Sequence, residues 1–478
     1  MFKDSFVYLV VRFVNGVLSL GAIYALTRTL TAEEYGLYAL GAAAIGIAAS
    51  VFFQWIAVSV SRFYAAHRDD PEALLGEAYR LLLCVASALM LVLTVLLVWT
   101  PSARLAPLLT LGVGIGAVGM GLFSLALQVA NARGQVRRYG LLTGLRGALA
   151  LVFSVLMVQL GLAGTGAVLG VALAAIVTVL CLGGRLQCGT RHGDASLRRQ
   201  MVVYGLPLTL TYLTIMVLDM SGRFMIGWWF GAASVAAYAA SYDLTQQTVG
   251  ALLNVLFLSS YSRITMAWES GGTLAARAAM LPLSRAMVTG MPLIVGGFIG
   301  LAPEISRLVL GAAIQKEAAG LIPWIALAIG FGCFRSYFLD IAFQLAKTTR
   351  VQLGVTTVMA GSNFSLNLVL IPMFGARGAA MSTTAAYLLG TTVSWFLGRR
   401  LGVYPTSSGD LLGMVLALGA MALGCALPPV ASGHALLDLL LRAVMGGVAF
   451  SAVVIAIDLA GARSLLMQRV RVLRRSAL

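Results

Sequence analysis

Stretches of about twenty mainly apolar residues recur some fourteen times along this chain, near 6–27, 37–61, 81–100, 106–130, 139–160, 163–183, 204–229, 234–261, 286–302, 320–345, 351–373, 378–398, 411–428 and 437–459. Twenty apolar residues in a helix match the thickness of a bilayer's hydrocarbon core. Lipid offers backbone amides no partner, so stretches of this length satisfy their hydrogen bonds internally, as helices. The chain is 60% hydrophobic and 10% charged, against roughly 25% charged for soluble domains. Connections are short and no soluble domain interrupts the series. The first stretch carries Arg12 and runs past Ala25 without a small-residue cleavage site, so it reads as a span rather than a removable signal.

A net charge of +16 raises the question of nucleic acid, which the placement of the charges answers. With the N-terminus in the cytoplasm and the spans alternating, 23 Lys and Arg fall on the cytoplasmic side and 5 on the other, with Arg12, Arg146, Arg223, Arg335 and Arg442 inside spans. That asymmetry is the orientation signal of a multi-pass protein with both termini cytoplasmic. It accounts for the charge without a nucleic-acid partner. The basic tail, 461–478, reads as an anchor on anionic membrane lipids. The cysteines (Cys84, Cys181, Cys188, Cys333, Cys425) form no CxxC pair and read as small buried hydrophobes. His67, His192 and His434 do not cluster, which argues against a metal site.

The two halves resemble one another. Tyr35-Gly-Leu-Tyr38-Ala is echoed by Val235-Ala-Ala-Tyr238-Ala, Ser61-Arg62 by Ser262-Arg263, Gln128-Val-Ala-Asn by Gln344-Leu-Ala-Lys, and Gly161-Leu-Ala-Gly164 by Gly375-Ala-Arg-Gly378, at offsets of 200 to 216. The expected architecture is all-α and polytopic. It has a six-helix lobe over 1–185, a second over 200–400, an extra helix pair over 409–460 and the basic tail. Six spans per repeat is an even number, so the lobes would be related by a pseudo-two-fold axis along the membrane normal.

Gly114-Ile-Gly116-Ala-Val-Gly119 matches a dinucleotide fingerprint but sits inside an apolar span with no strand before it. Gly112 and Gly116 read instead as a small-residue face for close helix packing, as do Gly296 and Gly300. Asp69-Asp70-Pro71 reads as a solvated loop rather than a metal-binding carboxylate pair. More informative are the polar residues inside spans, since a charge at the centre of a span costs about 3 kcal/mol on insertion scales. Asp219 and Arg223, four apart, can pair on one helix face. Asp243 shares a polar face with Gln246 and Gln247, Asp340 with Gln344, and Asn363 with Asn367, whereas Arg335, five residues before Asp340, points elsewhere at 3.6 residues per turn. Together these faces suggest a hydrophilic, net cationic cavity, and arginine's planar fork suits phosphate oxygens.

Several segments carry a resemblance. Leu30-Thr-Ala-Glu-Glu-Tyr35-Gly36-Leu37-Tyr38, Tyr204-Gly-Leu-Pro207-Leu, Arg223-Phe-Met-Ile-Gly, and Ala237-Tyr238-Ala-Ala-Ser-Tyr242-Asp243-Leu244 lie in the first two-thirds of the chain. Asp340-Ile-Ala-Phe343-Gln344-Leu, Asn363-Phe-Ser-Leu-Asn367-Leu, Ile371-Pro372 and Gly375-Ala-Arg-Gly378-Ala-Ala follow. Over roughly 5–400 the chain resembles the polysaccharide transporter family, the Wzx-type oligosaccharide flippases of the multidrug/oligosaccharidyl-lipid/polysaccharide exporter superfamily. One departure is Gly222, where the family often has Asp before the arginine; the nearest acid here is Asp219.

The resemblance implies two six-helix lobes working by alternating access in a bacterial inner membrane. It implies a polyprenyl-diphosphate-linked oligosaccharide substrate, delivered to the periplasmic face for exopolysaccharide, capsule or O-antigen (lipopolysaccharide) assembly. It implies a coupling proton or Na+ rather than a bound cofactor, and no GxxxxGK[ST] phosphate loop is present. Polysaccharide polymerase and export proteins are the implied partners. On this reading Arg12, Arg62, Arg146, Arg223, Arg263, Arg335, Gln246, Gln247 and Gln344 meet substrate, Asp219, Asp243, Asp340, Asn363 and Asn367 serve ion coupling, and no residue is catalytic. The rivals are a multidrug/cation antiporter, a peptidoglycan-precursor flippase and a polysaccharide polymerase. The last is disfavoured by the small far-side loop at 303–319, too short for an enzyme's periplasmic active site.

Overall fold

A computed structural model describes residues 2–67, 70–99, 107–183, 195–427 and 435–463. All regular structure among them is helical. Eleven continuous helical runs are long and apolar enough to cross a membrane. Three expected spans do not appear as separate runs. Expected spans five and six lie within one run, Val136–Leu182, and spans eight and nine within another, Ala232–Gly300. Both runs have internal breaks, at Gly161 (φ 84°) and at Gly271–Gly272. The twelfth expected span is the 24-residue helix Ala376–Arg399, which is not among the eleven.

The chain forms two compact units, Met1–Ala239 and Ala240–Leu478. The first contains α1 (Phe2–Thr29), α2 (Ala32–Ala48), α3 (Gln54–Phe63), α4 (Pro71–Trp99), α5 (Pro107–Ala132), α6 (Val136–Met157), α7 (Ala163–Leu182) and α8 (Ala195–Phe230). The span-seven helix, α8, packs on α2, α3 and α4 within this unit. Thr31 and Glu34 start α2 with a reciprocal capping box: Glu34 Oε2 accepts from the Thr31 amide at 2.8 Å, and Thr31 Oγ1 from the Glu34 amide at 3.3 Å. Asp70 Oδ1 accepts the Ala73 amide at 3.4 Å at the start of α4, so this acid serves a helix start; Asp69 lies outside the described residues.

The glycines of α5 form a packing face. Gly112 lies against Leu169 of α7, Gly116 against Ile45 of α2, and Gly121 against Phe53. A Cβ at Gly116 would sit 2.5 Å from Ile45 Cδ1. Small residues let helices approach where lipid supplies no hydrophobic drive. Beside this seam, Phe53, Trp55, Ile56, Val60, Leu74 and Met201 bury one core. Ser59 reaches across it to donate to the Met201 carbonyl at 3.2 Å.

The chain passes into the second unit along α9 (Ala232–Thr245). There follow α10 (Ala251–Gly300), α11 (Ala302–Val309), α12 (Ala312–Phe334), α13 (Asp340–Leu345), α14 (Thr349–Phe374), α15 (Ala376–Arg399), α16 (Ser408–Ala426) and α17 (Ala435–Ala456). Here α14 pairs with α15, α12 with α15, and α16 with both α10 and α17. Gly296 and Gly300 seat α16, lying against Met421 and Cys425. The intramembrane Arg442 of α17 is ion-paired to Glu304 of α11 at 3.3 Å. Two cysteines depart from expectation: Cys84 and Cys181 are exposed on α4 and α7, whereas Cys333 and Cys425 are buried. A helix that faces lipid has no reason to bury a small apolar side chain. Cys188, His192 and His434 lie outside the described residues.

Four π segments occur among the described residues; Val158–Leu162 contains the break at Gly161, and three are continuous turns: Ala49–Phe53 between α2 and α3, Gln246–Gly250 between α9 and α10, and Arg335–Leu339 between α12 and α13. The first two occupy the second and eighth expected spans, 197 residues apart by their first residues, close to the offset of the sequence echoes. The third builds the site described next.

Candidate functional site

In an ordinary α-helix, residues five apart lie about 140° from one another around the axis. A π turn closes i to i+5 instead. The turn Arg335–Leu339 therefore brings Arg335 onto the same side as Asp340, and Arg335 Nη2 meets Asp340 Oδ2 at 3.5 Å. This corrects the expectation that Arg335 points away from Asp340, which assumed 3.6 residues per turn throughout. Both side chains are buried, at 8% and 0% exposure.

The pair is enclosed by three further elements. On α14, Gln352 Nε2 donates to Asp340 Oδ2 at 3.3 Å, while Thr356 Oγ1 accepts from Arg335 Nη2 at 3.1 Å. Met359 Sδ, 2.9 Å from Arg335 Nη1, completes that wall. Its sulfur occupies the space where a Cβ on Gly390 would lie. On α15, Ser394 Oγ donates to Asp340 Oδ1 at 3.4 Å. From the α15–α16 connection, Tyr404 donates its hydroxyl to the Leu339 carbonyl, the last of the π turn, at 2.6 Å. Its ring stacks on Trp395 at 5.6 Å and 8° and on Phe338 at 5.7 Å and 29°. Burial, and next the negative charge of Asp340, push the Tyr404 phenol above its ordinary value. It therefore stays a hydrogen-bond donor throughout the physiological range. Arg335 Nε is buried with no hydrogen-bond partner.

A second polar ladder joins α14 to α15. Asn367 Nδ2 donates to Asn363 Oδ1 at 3.0 Å, and Asn363 Nδ2 to Thr383 Oγ1 at 3.3 Å. The two asparagines share a face, as their spacing of four implies, and both are buried.

In the first unit, Arg146 on α6 has a different environment. Its Cζ lies 5.0 Å from the centroid of Phe123 and its Nη1 3.9 Å from Met120 Sδ, while Nε is buried without a hydrogen-bond partner. No carboxylate of the described residues forms an ion pair with it. Arg223 is buried on α8 with Asp219 half-buried one turn earlier; Arg12 on α1 and Arg62 at the end of α3 are exposed. In the second unit Gln246 and Arg263 are exposed and Asp243, Gln247 and Gln344 half-buried. The structure thus gathers Arg335, Asp340, Asn363 and Asn367 onto the α12–α15 packing, and does not draw Gln344 into the bonded network.

Sequence reasoning missed Gln352, Thr356, Ser394 and Tyr404. Two of them carry a signal: Gln352 and Thr356 continue, at helical spacing, the stripe that ends in Asn363 and Asn367. Tyr404 sits in a connection with no periodicity.

The chain can now be set beside known proteins. Its fold is shared with a lipid II flippase, MurJ, in an inward closed conformation, at a TM-score of 0.75 and 12% identity, covering 96% of this chain and 99% of that one. It is shared with an inward-facing multidrug resistance MATE family transporter of the MOP superfamily, at 0.61 and 15%, covering 84% and 99%. A MOP superfamily transporter from Pyrococcus furiosus, described by the reversed polarity of its binding pocket, matches at 0.56 and 14%, covering 84% and 95%. At these identities the likeness is one of fold. No curated protein matches the chain by sequence. A family described as "Polysaccharide biosynthesis protein" matches residues 1–268, more than half of this multi-pass membrane protein. The chain belongs to the polysaccharide biosynthesis protein family and has the fold of the MOP superfamily transporters.

Proposed function

We propose that this protein is a flippase that carries polyprenyl-diphosphate-linked oligosaccharide units from the cytoplasmic to the periplasmic leaflet for surface polysaccharide assembly, by alternating access. The observation that carries the reading, within a family of polysaccharide biosynthesis proteins, is Arg146. A guanidinium inside a spanning helix, contacted by an aromatic ring and a thioether but ion-paired to no described carboxylate, is costly unless an anion uses it. A diphosphate is such an anion. Arg12, on the helix packed against α6, and Arg223 are the further candidates for the same headgroup.

Arg335 has a different part in this proposal, because Asp340 neutralises it. The pair serves coupling: a proton or Na+ at Asp340 competes with Arg335 for the carboxylate, and its arrival releases the arginine. The lipid II flippase neighbour supports one second reading, transport of a peptidoglycan precursor, because its match extends over 96% of the chain against 84% for the multidrug transporters.

The test is deletion of the gene with complementation by Arg146→Ala and Arg146→Lys at matched protein level. Loss of exported polymer, with single lipid-linked units retained in the cytoplasmic leaflet, is expected for the deletion and for Arg146→Ala. Full polymer output from Arg146→Ala refutes the role of Arg146. Arrest of growth on depletion, with lipid-linked peptidoglycan precursor accumulating, selects the second reading.

A further inference from the structure

A cavity of about 340 Å³ opens at the connection between α15 and α16, sharing the Trp395–Tyr404 wall with the enclosure of the buried ion pair but lined by neither Arg335 nor Asp340. Its volume is at the lower end of the range of small-ligand sites. The connection is laid onto the second half of α10: Ser284 and Thr406 share a hydrogen bond of 2.7 Å, and Gly402 lies beside Thr273. This brings Arg277 of α10 and Arg399, at the end of α15, to one cavity although they are far apart in sequence. Both arginines are exposed, and neither has a hydrogen-bond or ion-pair partner among the described residues. Trp395 and the ring of Tyr404 form an aromatic wall, rigid because the two rings are stacked and the Tyr404 hydroxyl is held by Leu339. Thr406 and Ser408 add hydroxyls at the rim.

The nearest acid in sequence, Asp410, is held by Ser407, a residue of the cavity lining. Asp410 Oδ2 accepts from the Ser407 amide at 2.7 Å and Ser407 Oγ accepts from the Asp410 amide at 3.1 Å, closing a capping box on α16, and the Ser407 hydroxyl also lies 2.8 Å from Asp410 Oδ2. Among the described residues no Asp or Glu lines the cavity. Two unpaired forks, hydroxyl donors and no carboxylate make a setting for a dianion with several acceptor oxygens. Lone exposed arginines would be ordinary surface charge; what distinguishes these is that two separate helices deliver them to one walled cavity. We propose that this cavity binds a phosphate group, as a phosphomonoester or diphosphate, through Arg277 and Arg399. The inference does not depend on the flippase reading, since the cavity lies outside the residues assigned to transport.

The group can arrive on a lipid or free in solution, and two probes separate these sources. Full-length protein in a neutral detergent is titrated with inorganic pyrophosphate by calorimetry. The same protein in nanodiscs of phosphatidylcholine, with and without phosphatidic acid, is followed by its unfolding temperature. Arg277→Gln/Arg399→Gln is compared with Arg137→Gln/Arg350→Gln, which removes equal charge from exposed positions that do not line the cavity. Salt-sensitive pyrophosphate binding that weakens about tenfold or more in the cavity variant alone supports a free phosphate ligand. Stabilisation by phosphatidic acid alone, lost only in the cavity variant, supports a lipid headgroup. Arg277→Lys/Arg399→Lys, which keeps the charge and removes the forks, weakens binding by less than the Gln pair. The proposal is overturned if neither probe acts on the native protein, or if the cavity and control variants respond alike.

Discussion

Removing one partner of the Arg335–Asp340 pair tests how the second unit is held together. At 3.5 Å, two unit charges in a surrounding of effective dielectric near 20 attract by about 5 kcal/mol. The hydrogen bonds to Asp340 from Gln352 and Ser394, at 3.3 and 3.4 Å, are long and contribute less. Asp340→Asn leaves a guanidinium buried without its counter-charge, and Arg335→Met leaves a carboxylate in the same position. Each is expected to cost about 3–5 kcal/mol. The double variant Arg335→Met/Asp340→Leu removes both charges together and is expected to regain most of that loss, giving a coupling of about 3 kcal/mol. Unfolding in detergent, followed by intrinsic fluorescence, reads all four proteins. At roughly 2–4 °C per kcal/mol, the single variants should melt at least about 6 °C below the native protein and the double variant well above either. Strict additivity, with the double variant melting lowest, would show that the charges do not interact and refute the reasoning. If the pair serves coupling, the stable double variant should also fail to export polymer.

Three other outcomes follow from the geometry. Tyr404→Phe keeps the stacking on Trp395 and Phe338 but loses the bond to the Leu339 carbonyl, a cost of about 1–2 kcal/mol in the same melts. Because the folded phenol ionises above its unfolded value near 10, its contribution should be constant from pH 6 to 9. It should then fall as pH rises past about 10, with the native protein losing stability relative to Tyr404→Phe; a difference that falls between pH 6 and 9 contradicts the assignment. Gly398→Ala places a methyl group against the Tyr404 hydroxyl and should destabilise by about 1–3 kcal/mol, with partial rescue by Tyr404→Phe; no rescue would mean the clash lies elsewhere. Thr31→Ala breaks the capping box of α2 and should cost about 1 kcal/mol, seen as faster amide exchange in the first turn of that helix.

Much of the helical plan is legible in residue spacing. The glycines of α5 announce a packing seam because one face of small residues has no other use in lipid. Asn363 and Asn367 announce a shared face because their spacing is four and the helix there is regular. Arg335 and Asp340 defeat the same arithmetic, since nothing in Arg-Ser-Tyr-Phe-Leu marks a change of winding. Continuous helical runs are fewer than apolar stretches because helical hydrogen bonding runs on through expected connections, as beyond Gly161 and at Gly271–Gly272. Cys84 and Cys181 mislead because burial rules learned from water do not hold on a face that meets lipid. Tyr404 is invisible to pattern: its place depends on a connection folding back over Leu339.

The π turn at Arg335–Leu339 also sets a phase. One residue beyond regular winding turns everything upstream through about 100° relative to everything downstream. Deleting Ser336 would restore even winding and still leave the arginine four residues before the aspartate, so the pair itself could survive. The Phe334 edge, now in contact with Phe338 at 5.2 Å, and the buried stripe of α12 behind it could not keep their partners at the same time. The extra residue is thus what allows one helix to satisfy two neighbours whose faces are out of step.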